Sequence, residues 1–334
     1  MNKKFPKVSV LTPIYNTKPE FLRECINSVL DQTFGDFEFL LCDDCSESYI
    51  RDIVESYNDP RIIYIRNQKN LGAAGSRNRL IDMANGDYLA LLDSDDTMVE
   101  TRLAKQVDFL DKNPAVGCLG TWATVNKSSL FHPGRFDSQQ LEEHLVFSGC
   151  ALCNSSVMLR KSTLDKHHIR YKTEFIPAED YALYCDLIGL TKFAVLPEVL
   201  CDYKFYSENI SCCQEQKQKY IAAVAQYNVI ERYANVSLVG KEEMANFAAF
   251  NIPQNSKELR RAIKINLDKL KEFPRWAEMF FNTNKNCYRL ICYKKRSLTD
   301  QARLLCSPLR RFFKQSFGWQ LFCFITRGMF SFKK

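Results

Sequence analysis

The sequence has no apolar run long enough to cross a membrane. A membrane-spanning helix needs about 18–20 consecutive apolar residues. The longest candidate late in the chain, residues 317–326, is interrupted by Gln320 and flanked by basic residues. The first residues also lack the apolar segment of a secretory signal. We therefore expect a cytoplasmic protein that does not span a membrane.

Histidine is scarce, with four residues, and none lies at a zinc-finger spacing from the fourteen cysteines. Without an export signal, reduced thiols in a reducing compartment are the expected state of these cysteines. Two pairs, Cys42/Cys45 and Cys150/Cys153, have the C-x-x-C spacing. A zinc site built from both pairs therefore stays open as an alternative.

The composition is that of a globular protein, with 46% apolar and 25% charged residues among 334. This excludes a disordered or low-complexity chain. The net charge of +7 is unevenly distributed, because residues 1–211 contain 23 basic and 30 acidic side chains, whereas residues 212–334 contain 23 and 9. We expect two parts, 1–211 and 212–334, that face different electrostatic partners.

Strand and helix patterns alternate four times within the first hundred residues. The strand patterns cover residues 8–12, 37–42, 61–66 and 88–92. The intervening helical patterns begin near Pro19, at Ser46, which can cap the second helix, and near Ala73. This order predicts an α/β fold, with a doubly wound, mostly parallel sheet and helices on both faces. Ligands of such sheets bind at the carboxyl ends of the strands, so the residues that follow each strand are the candidate site.

The strongest motif is Asp93-Ser94-Asp95-Asp96, directly after the fourth strand. Three carboxylates in four residues repel one another unless a cation compensates them. Oxygen ligands without histidine or cysteine favour Mg²⁺ or Mn²⁺. The alternative is a solvated acidic turn that caps the helix beginning near Glu100.

A segment of small residues, Asn70 to Asn78, opens the third helix and places Arg77 one turn inside it. Backbone N–H groups at a helix start, together with an arginine, suit a phosphate. The segment is neither a G-x-G-x-x-G motif nor a P-loop. Close helix packing at Gly72, with Arg77 in a salt bridge, remains an equally simple interpretation.

Other side chains are compatible with binding or with structure alone. Asp43 and Asp44 could hydrogen-bond a base or ribose, or cap the next helix, and Tyr15 could stack on a base or pack as an ordinary aromatic. Glu179 and Asp180 precede a helical stretch, where the helix dipole favours acids. One of these two carboxylates could instead act as a general base toward a hydroxyl.

Taken in order, these motifs resemble the family 2 glycosyltransferases of the GT-A fold, including those that build bacterial surface polysaccharides. The resemblance covers residues 6 to about 211 and rests on Thr12-Pro-Ile-Tyr-Asn, Cys42-Asp-Asp-Cys-Ser, Asn70…Gly72…Arg77-Asn78, Asp93-Ser-Asp-Asp and Glu179-Asp180. It implies a nucleotide-sugar donor, with UDP as the expected nucleotide, a divalent cation (Mn²⁺ or Mg²⁺), and inversion at the anomeric carbon.

The resemblance also implies roles for single residues. Asp180 would be the catalytic base, and Glu179 would be an acceptor contact or an orienting neighbour. The cation would be held by Asp95 and Asp93, with Asp96 as a further ligand. In the nucleotide-sugar site, Thr12, Pro13 and Tyr15 would surround the base. Asp44 would hydrogen-bond the uracil, with Asp43 supporting it. The site would also comprise Asn70, Gly72, Arg77, Asp93 and Ser94.

The sequence departs from this family at one position. Many members have a histidine after the last strand of the domain, near the diphosphate or the metal. The comparable stretch here begins at Asp202 and has Tyr206 near that position. Lys204 or Tyr206 could contact phosphate instead, and neither is included among the predicted catalytic residues.

The final fifty residues have a distinct composition. Residues 285–334 contain twelve basic side chains, one acid (Asp300) and many aromatics. Such stretches lie in the headgroup plane of anionic membranes. We expect this tail to dock peripherally on the inner face of the cytoplasmic membrane. A helical cap on the catalytic domain is the alternative, and no recognised nucleic-acid module is present.

We therefore expect an inverting glycosyltransferase that transfers a sugar to a hydroxyl of a glycan or lipid-linked glycan. A metal-dependent nucleotidyltransferase is a second hypothesis, but the loop after the first strand lacks a glycine-rich, basic triphosphate site. A degenerate, non-catalytic scaffold of a glycan-assembly complex is a third.

Overall fold

The computed structural model describes residues 5–132, 134, 136–250, 256–270 and 280. The strands in these residues are β1 (Val8–Ile14), β2 (Phe37–Asp43), β3 (Ile62–Arg66), β4 (Tyr88–Leu91), β5 (Thr97–Met98), β6 (Val116–Val125), β7 (Ser129–Phe131), β8 (Met158–Arg160) and β9 (Lys192–Tyr203). The α-helices are α1 (Pro19–Leu30), α2 (Tyr49–Glu55), α3 (Gly72–Met83), α4 (Arg102–Lys112), α5 (Ser138–Phe147), α6 (Lys161–Lys166), α7 (Glu179–Leu187), α8 (Ile210–Cys213), α9 (Glu215–Ala234), α10 (Lys241–Phe250) and α11 (Ser256–Lys269).

One half of the sheet is parallel. Its strands lie in the order β3-β2-β1-β4, and each neighbouring pair is parallel. Ile14 pairs with Asp43, and Asp43 pairs with Arg66, so the ends of three strands lie level with one another. This register places the residues that follow the strands along one edge of the sheet.

The other half is mixed. β8 runs antiparallel to both β4 and β6, β6 and β9 are parallel, and β5 is antiparallel to β9. β7 forms an antiparallel pair with β6 beside this path. The predicted α/β class is confirmed, and the predicted parallel pairing is concentrated in the first four strands.

Helices cover both faces of the sheet, as predicted. Alternate residues of β1, including Val8 and Val10, pack with buried residues of α1, α2 and α4. Helix α3 contacts the opposite face of β1 and β2. The strands are therefore buried on both sides, which explains their nearly continuous apolar sequences.

One helix start differs from the prediction. Ser46 does not cap α2, which begins at Tyr49 after Ser48, without a side-chain cap. The Ser46 hydroxyl instead accepts a hydrogen bond from the backbone N–H of Asn16 at 3.0 Å. The predicted capping contact is replaced by one that joins the loops after β1 and β2.

The chain divides into two compact units. Among the described residues, the first comprises those up to 237 together with 248–250, and the second comprises 238–247, 256–270 and 280. In the first unit, α9 packs against α5 and α7. In the second, the buried Asn266 side chain bonds both the N–H and the carbonyl of Val239, each at 2.9 Å.

The described residues after 211 are mainly helical, as predicted. A domain boundary at 211/212 stays a prediction. Within the described ranges, no helix combines the length and the apolar character needed to span a membrane. The basic tail at residues 285–334 lies outside the described residues.

Candidate active site

The loops that follow β1 to β4 lie together at the carboxyl edge of the parallel strands. The first and fourth loops are joined by the hydroxyls of Thr17 and Ser94, whose oxygens lie 2.6 Å apart. The second and third are joined by Asp44, whose Oδ1 accepts the N–H of Leu71 at 2.7 Å. Four segments that are distant in the sequence thus form one polar edge.

Asp43 is fully buried and its carboxylate is surrounded by donors. It accepts hydrogen bonds from the Ser46 N–H at 2.8 Å, the Tyr64 hydroxyl at 2.6 Å and the Arg66 guanidinium at 2.6 Å. Burial, together with the bond to Asp43, raises the pKa of Tyr64 to about 12. Asp43 therefore fixes the end of β2, and its supporting role in nucleotide binding stays a prediction.

Asp44 lies beside the loop that contains Asn70. Its Oδ1 accepts the Asn67 side-chain amide at 2.7 Å, and its carbonyl accepts the Asn70 amide at 3.3 Å. The Asn70 side chain also accepts the N–H of Gly72 at 3.0 Å. Asp44, Asn70 and Gly72, predicted separately as donor-site residues, thus belong to one hydrogen-bonded group.

Gly72 has a backbone conformation that other residues rarely adopt. Its φ is +72°, in the left-handed region, and a Cβ at this position would lie 3.4 Å from the Ile176 side chain. A substitution would therefore strain the backbone more than it would crowd its neighbour.

The three residues predicted to surround a base differ in exposure. Thr12 is fully buried at the end of β1, Pro13 is half-buried, and the Tyr15 side chain is 58% exposed. The Tyr15 ring is accessible to a stacking partner. The buried Thr12 side chain contributes to the packing below this edge of the sheet.

Arg77 links the acidic loop to α7. Its guanidinium bonds Asp93 at 2.6 Å and Glu179 at 2.8 Å. It also lies over the Tyr171 ring, 5.5 Å from the centroid. The salt bridges weighed in the sequence as an alternative are present, and a direct contact of Arg77 with the nucleotide stays a prediction.

Asp95 has fewer donors than the other carboxylates of the acidic loop. Its Oδ2 accepts a hydrogen bond from the Tyr206 hydroxyl at 2.7 Å. Burial raises the pKa of Asp95, and the nearby Asp93 charge raises it further, whereas the bond from Tyr206 acts in the opposite direction. An acceptor with so few donors is suited to a cation.

Asp96 is bound more completely than Asp95. Its Oδ1 accepts the Lys204 N–H at 2.7 Å, and its Oδ2 accepts the hydroxyl of Ser155. Burial, followed by the Asp95 charge, raises the pKa of Asp96 well above its ordinary value. Both oxygens therefore have protein partners, and the role of Asp96 as a metal ligand stays a prediction.

The donor set of the acidic loop fits a hard divalent cation. Asp93 and Asp95 provide carboxylate oxygens, the ligands that Mg²⁺ and Mn²⁺ prefer. Their mutual repulsion would be relieved by a bound positive charge. Among the described residues, no group of three or more His, Cys, Asp or Glu side chains is already arranged as a metal site. The described cysteines are free thiols.

Glu179 and Asp180 form the first turn of α7. Asp180 accepts the N–H of Tyr181 at 2.7 Å, and Glu179 is buried against Arg77. Burial and then the Glu179 charge raise the pKa of Asp180 to about 6. A carboxylate with this pKa is a stronger proton acceptor than an ordinary aspartate and is still ionised at neutral pH.

Two contacts in this site were not predicted from the sequence. Asn154 donates its amide to the Asp93 carboxylate at 3.3 Å, and Ser155 bonds Asp96. Both residues lie in a 3-10 turn, Asn154–Ser156, about sixty residues after the acidic loop. Their sequence, Asn-Ser-Ser before a strand, carries no local signal of this contact. The sequence marks Tyr206 only as a departure from the family pattern.

The chain matches the model of "Glycosyl transferase family 2" over residues 9–167. It is 30% identical over 223 residues to an uncharacterized glycosyltransferase of Methanocaldococcus jannaschii. This alignment covers 64% of our chain and 76% of the relative. The chain is also 26% identical over 258 residues to the Escherichia coli UDP-Glc:alpha-D-GlcNAc-diphosphoundecaprenol beta-1,3-glucosyltransferase WfgD, covering 77% and 98%.

Solved structures of similar fold include residues 1–349 of S. aureus TarS in complex with UDP-GlcNAc. The TM-score is 0.56 at 20% identity, with 85% of this chain and 82% of the other covered. The mannosyltransferase PcManGT of Pyrobaculum calidifontis, in complex with GDP-Man and Mn²⁺, has a TM-score of 0.53 at 15% identity, with 88% and 89% covered. The similarity at 30% identity, the family match and the shared fold lead to one conclusion: this chain belongs to glycosyl transferase family 2, and it is a glycosyltransferase.

Proposed function

We propose that this glycosyltransferase moves a sugar from a UDP-sugar to a hydroxyl of a lipid-linked glycan, with inversion of the anomeric configuration. The observation that carries the proposal is the bridge formed by Arg77. One end of its guanidinium bonds Asp93 in the acidic loop, and the other bonds Glu179, the neighbour of Asp180. Candidate donor-binding carboxylates and a candidate base are thereby held at one site.

Asp180 is the proposed base. As the acceptor oxygen attacks the anomeric carbon, Asp180 takes its proton, and the bond to the diphosphate breaks in the same displacement. One displacement requires one base and inverts the configuration. A pKa of about 6 leaves most Asp180 side chains ionised at neutral pH while keeping them basic.

The donor is proposed to lie along the polar edge. Asp44 would accept from the base, Tyr15 would stack on it, and Asp93 would bind the ribose. Asp93 and Asp95 would hold the divalent cation, which would supply positive charge to the diphosphate when bound. The donor named for WfgD and the UDP-GlcNAc complex of TarS support a UDP-sugar, and the Mn²⁺ complex of PcManGT supports the metal.

A lipid-linked acceptor is supported by two observations. The name of WfgD specifies a diphosphoundecaprenol-linked acceptor. The tail at residues 285–334 has twelve basic side chains and one acid, a composition suited to an anionic bilayer surface. We therefore propose that the tail docks the enzyme peripherally on the inner face of the cytoplasmic membrane.

The docking proposal is tested with the full chain and charge-reversed tail variants. Arg310→Glu, Arg311→Glu and Lys314→Glu combined should abolish flotation with phosphatidylglycerol vesicles. Neither protein should float with vesicles of phosphatidylcholine alone, because anionic lipid supplies the attraction. Unchanged flotation of the triple variant would contradict docking through this segment.

The donor proposal is tested by offering the purified chain a panel of nucleotide sugars with Mn²⁺. Turnover is followed by the mass of the products, without an acceptor and with a diphosphoundecaprenol-linked sugar. A UDP-sugar should be consumed only with the metal present. Asp95→Asn should remove this activity.

Asp87→Asn is the matched control for Asp95→Asn. Asp87 lies just before β4, at the end of the strand opposite to the acidic loop, and its side chain is 72% exposed. Asp87→Asn should retain activity. If the rate of turnover were unchanged both without Mn²⁺ and in Asp95→Asn, the proposed metal site would be contradicted. No turnover of any nucleotide sugar would favour a non-catalytic scaffold.

A further inference from the structure

The 3-10 turn at Asn154–Ser156 lies between the acidic loop and α7. The Asn154 amide nitrogen is 3.4 Å from Oδ1 and 3.3 Å from Oδ2 of Asp93. The side-chain Oδ1 of Asn154 accepts a hydrogen bond from the hydroxyl of Tyr184 at 2.9 Å. One side chain therefore joins the acidic loop to a residue in the middle of α7.

This contact completes a closed ring of hydrogen bonds. From α7 the ring runs from Glu179 to Arg77, from Arg77 to Asp93, and then through Asn154 back to Tyr184. Asp180 lies between the two points at which α7 is held. Asp180 and Tyr184 are four residues apart and so share a face of the helix.

We propose that Asn154 is a positioning residue, which with Tyr184 fixes the base Asp180 relative to the donor-binding carboxylate Asp93. The inference rests on the proposed function, because it assigns Asp180 and Asp93 to the two reacting partners. Arg77 ties the acidic loop to the first turn of α7. Asn154 adds a second tether to the same loop at Tyr184, five residues after Glu179.

The turn that carries Asn154 is itself held firmly. The Ser155 hydroxyl accepts the Asp93 N–H at 3.0 Å and donates to Asp96. The fully buried Arg102 donates to the Ser155 carbonyl, and Gln106 donates to the Ser156 carbonyl at 2.9 Å. A rigid turn can transmit position, whereas a loosely held one would follow the helix that it contacts.

The sharpest test removes one hydroxyl. Tyr184→Phe keeps the ring that packs in the core and deletes only the bond to Asn154. We expect kcat for UDP-sugar turnover to fall about tenfold, because small misplacements of reacting groups reduce rates by such factors. KM for the donor should stay within about twofold, since the nucleotide contacts lie elsewhere.

The matched control is Tyr181→Phe on the same helix. Its hydroxyl is also buried, but it donates to the carbonyl of Leu145, away from the acidic loop. We expect a loss of thermal stability similar to that of Tyr184→Phe and an unchanged kcat. Equal kcat values for the two variants would show that the Tyr184 hydroxyl is only structural, and would overturn the inference.

A double-mutant cycle tests whether the two residues act through one link. Asn154→Ala and Tyr184→Phe should each reduce kcat, and the double variant should be little worse than Asn154→Ala alone. Independent, multiplying effects on kcat would contradict a shared tether.

A readout without turnover separates this inference from the proposed function. Amide hydrogen exchange at Ala182, whose N–H bonds the Ala178 carbonyl in the first turn of α7, should be faster in Tyr184→Phe than in Tyr181→Phe. If the wild-type chain turns over no nucleotide sugar, the proposed function fails, and this exchange comparison still decides whether the tether exists. Identical exchange in both variants would exclude it.

Discussion

Asp43, at the end of β2, is held by more hydrogen-bond donors than Asp95 and Asp180, the proposed metal ligand and base. Asp43 has three strong donors, including the cation of Arg66, within 2.8 Å. Asp180 accepts the backbone N–H of Tyr181, and its pKa is raised to about 6. Asp95 likewise has Tyr206 as its side-chain donor and a raised pKa.

The difference shows how one sheet edge serves two purposes. The three donors around Asp43 make its carboxylate part of the framework. Burial without comparable donors disfavours ionisation of Asp95 and Asp180, which costs folding free energy. That cost leaves Asp95 attractive to a cation and Asp180 attractive to a proton, which is the behaviour that the proposed chemistry needs.

The largest expected effect is on the base. Asp180→Asn should lower kcat for UDP-sugar turnover about 10³-fold, because general-base catalysis contributes factors of about 10²–10⁴. Steady-state assays at saturating donor measure it. Asp186→Asn, on the same helix but paired with Lys172 at 2.7 Å, is the control that should keep its activity. A fully active Asp180→Asn variant would mean that another group removes the proton.

The second prediction concerns stability, where the two carboxylates should respond with opposite signs. Asp43→Asn should destabilise the fold by about 2 kcal/mol, because it weakens hydrogen bonds from a buried site to charged partners. Asp180→Asn should instead stabilise it by about 1–3 kcal/mol at pH 8, since a raised carboxyl pKa penalises the ionised folded state.

The sign follows from the pKa of Asp180. The stability that the protonated Asp180 carboxyl contributes is complete below about pH 4 and is lost as the pH rises through about 6. Urea unfolding at pH 5 and pH 8 measures both variants, and the advantage of Asp180→Asn should shrink at the lower pH. If both substitutions destabilised the fold at pH 8, the proposed difference between Asp43 and Asp180 would be contradicted.

The third prediction is a displaced pH profile. In the wild-type chain, kcat should fall below about pH 6 as Asp180 takes up a proton. Glu179→Gln should move this limb to lower pH, because removing a neighbouring negative charge lowers the pKa of Asp180. Rate profiles from about pH 4.5 to 8 measure the shift. A limb that moves upward would show that Glu179 acts mainly through Arg77.

The smallest effect is expected at Asp95. Tyr206→Phe removes its hydrogen-bond donor and should tighten Mn²⁺ binding to the donor-free chain several-fold, because the cation no longer competes with the phenol. Electron paramagnetic resonance of free Mn²⁺ measures the affinity. Phe205→Leu, in the same segment, is the control for general loosening. Weaker binding in Tyr206→Phe would indicate that the phenol oxygen is itself a ligand.

Much of the parallel half of the fold could be predicted from the sequence, because its signals are local. The strands are short apolar segments bounded by turns, and the βαβ alternation makes them parallel, so their carboxyl ends face one edge of the sheet. Strand order alone therefore predicts that the acidic loop after β4 and the small-residue start of α3 share one edge of the sheet.

The remaining contacts depend on long-range packing. The turn containing Asn154 reaches Asp93 only because β8 enters antiparallel beside β4. Tyr206 reaches Asp95 only because β9 carries the chain back across the sheet. Neither residue type is unusual at its position, and no periodicity or spacing reports which distant loop it will touch. Ser46 failed as a predicted cap for a similar reason, since its hydroxyl bonds a neighbouring loop instead.

Arg102 has a consequence for how the acidic loop folds. Its guanidinium is fully buried and donates to the carbonyls of Leu91, Ser155 and Val157, and no carboxylate of the described residues bonds it. Burial lowers the pKa of Arg102, and the nearby Asp96 charge is among the groups that oppose this. Because the Arg102 bonds join the end of β4 to the turn at Asn154–Ser156 without a metal, chelation should leave the architecture intact.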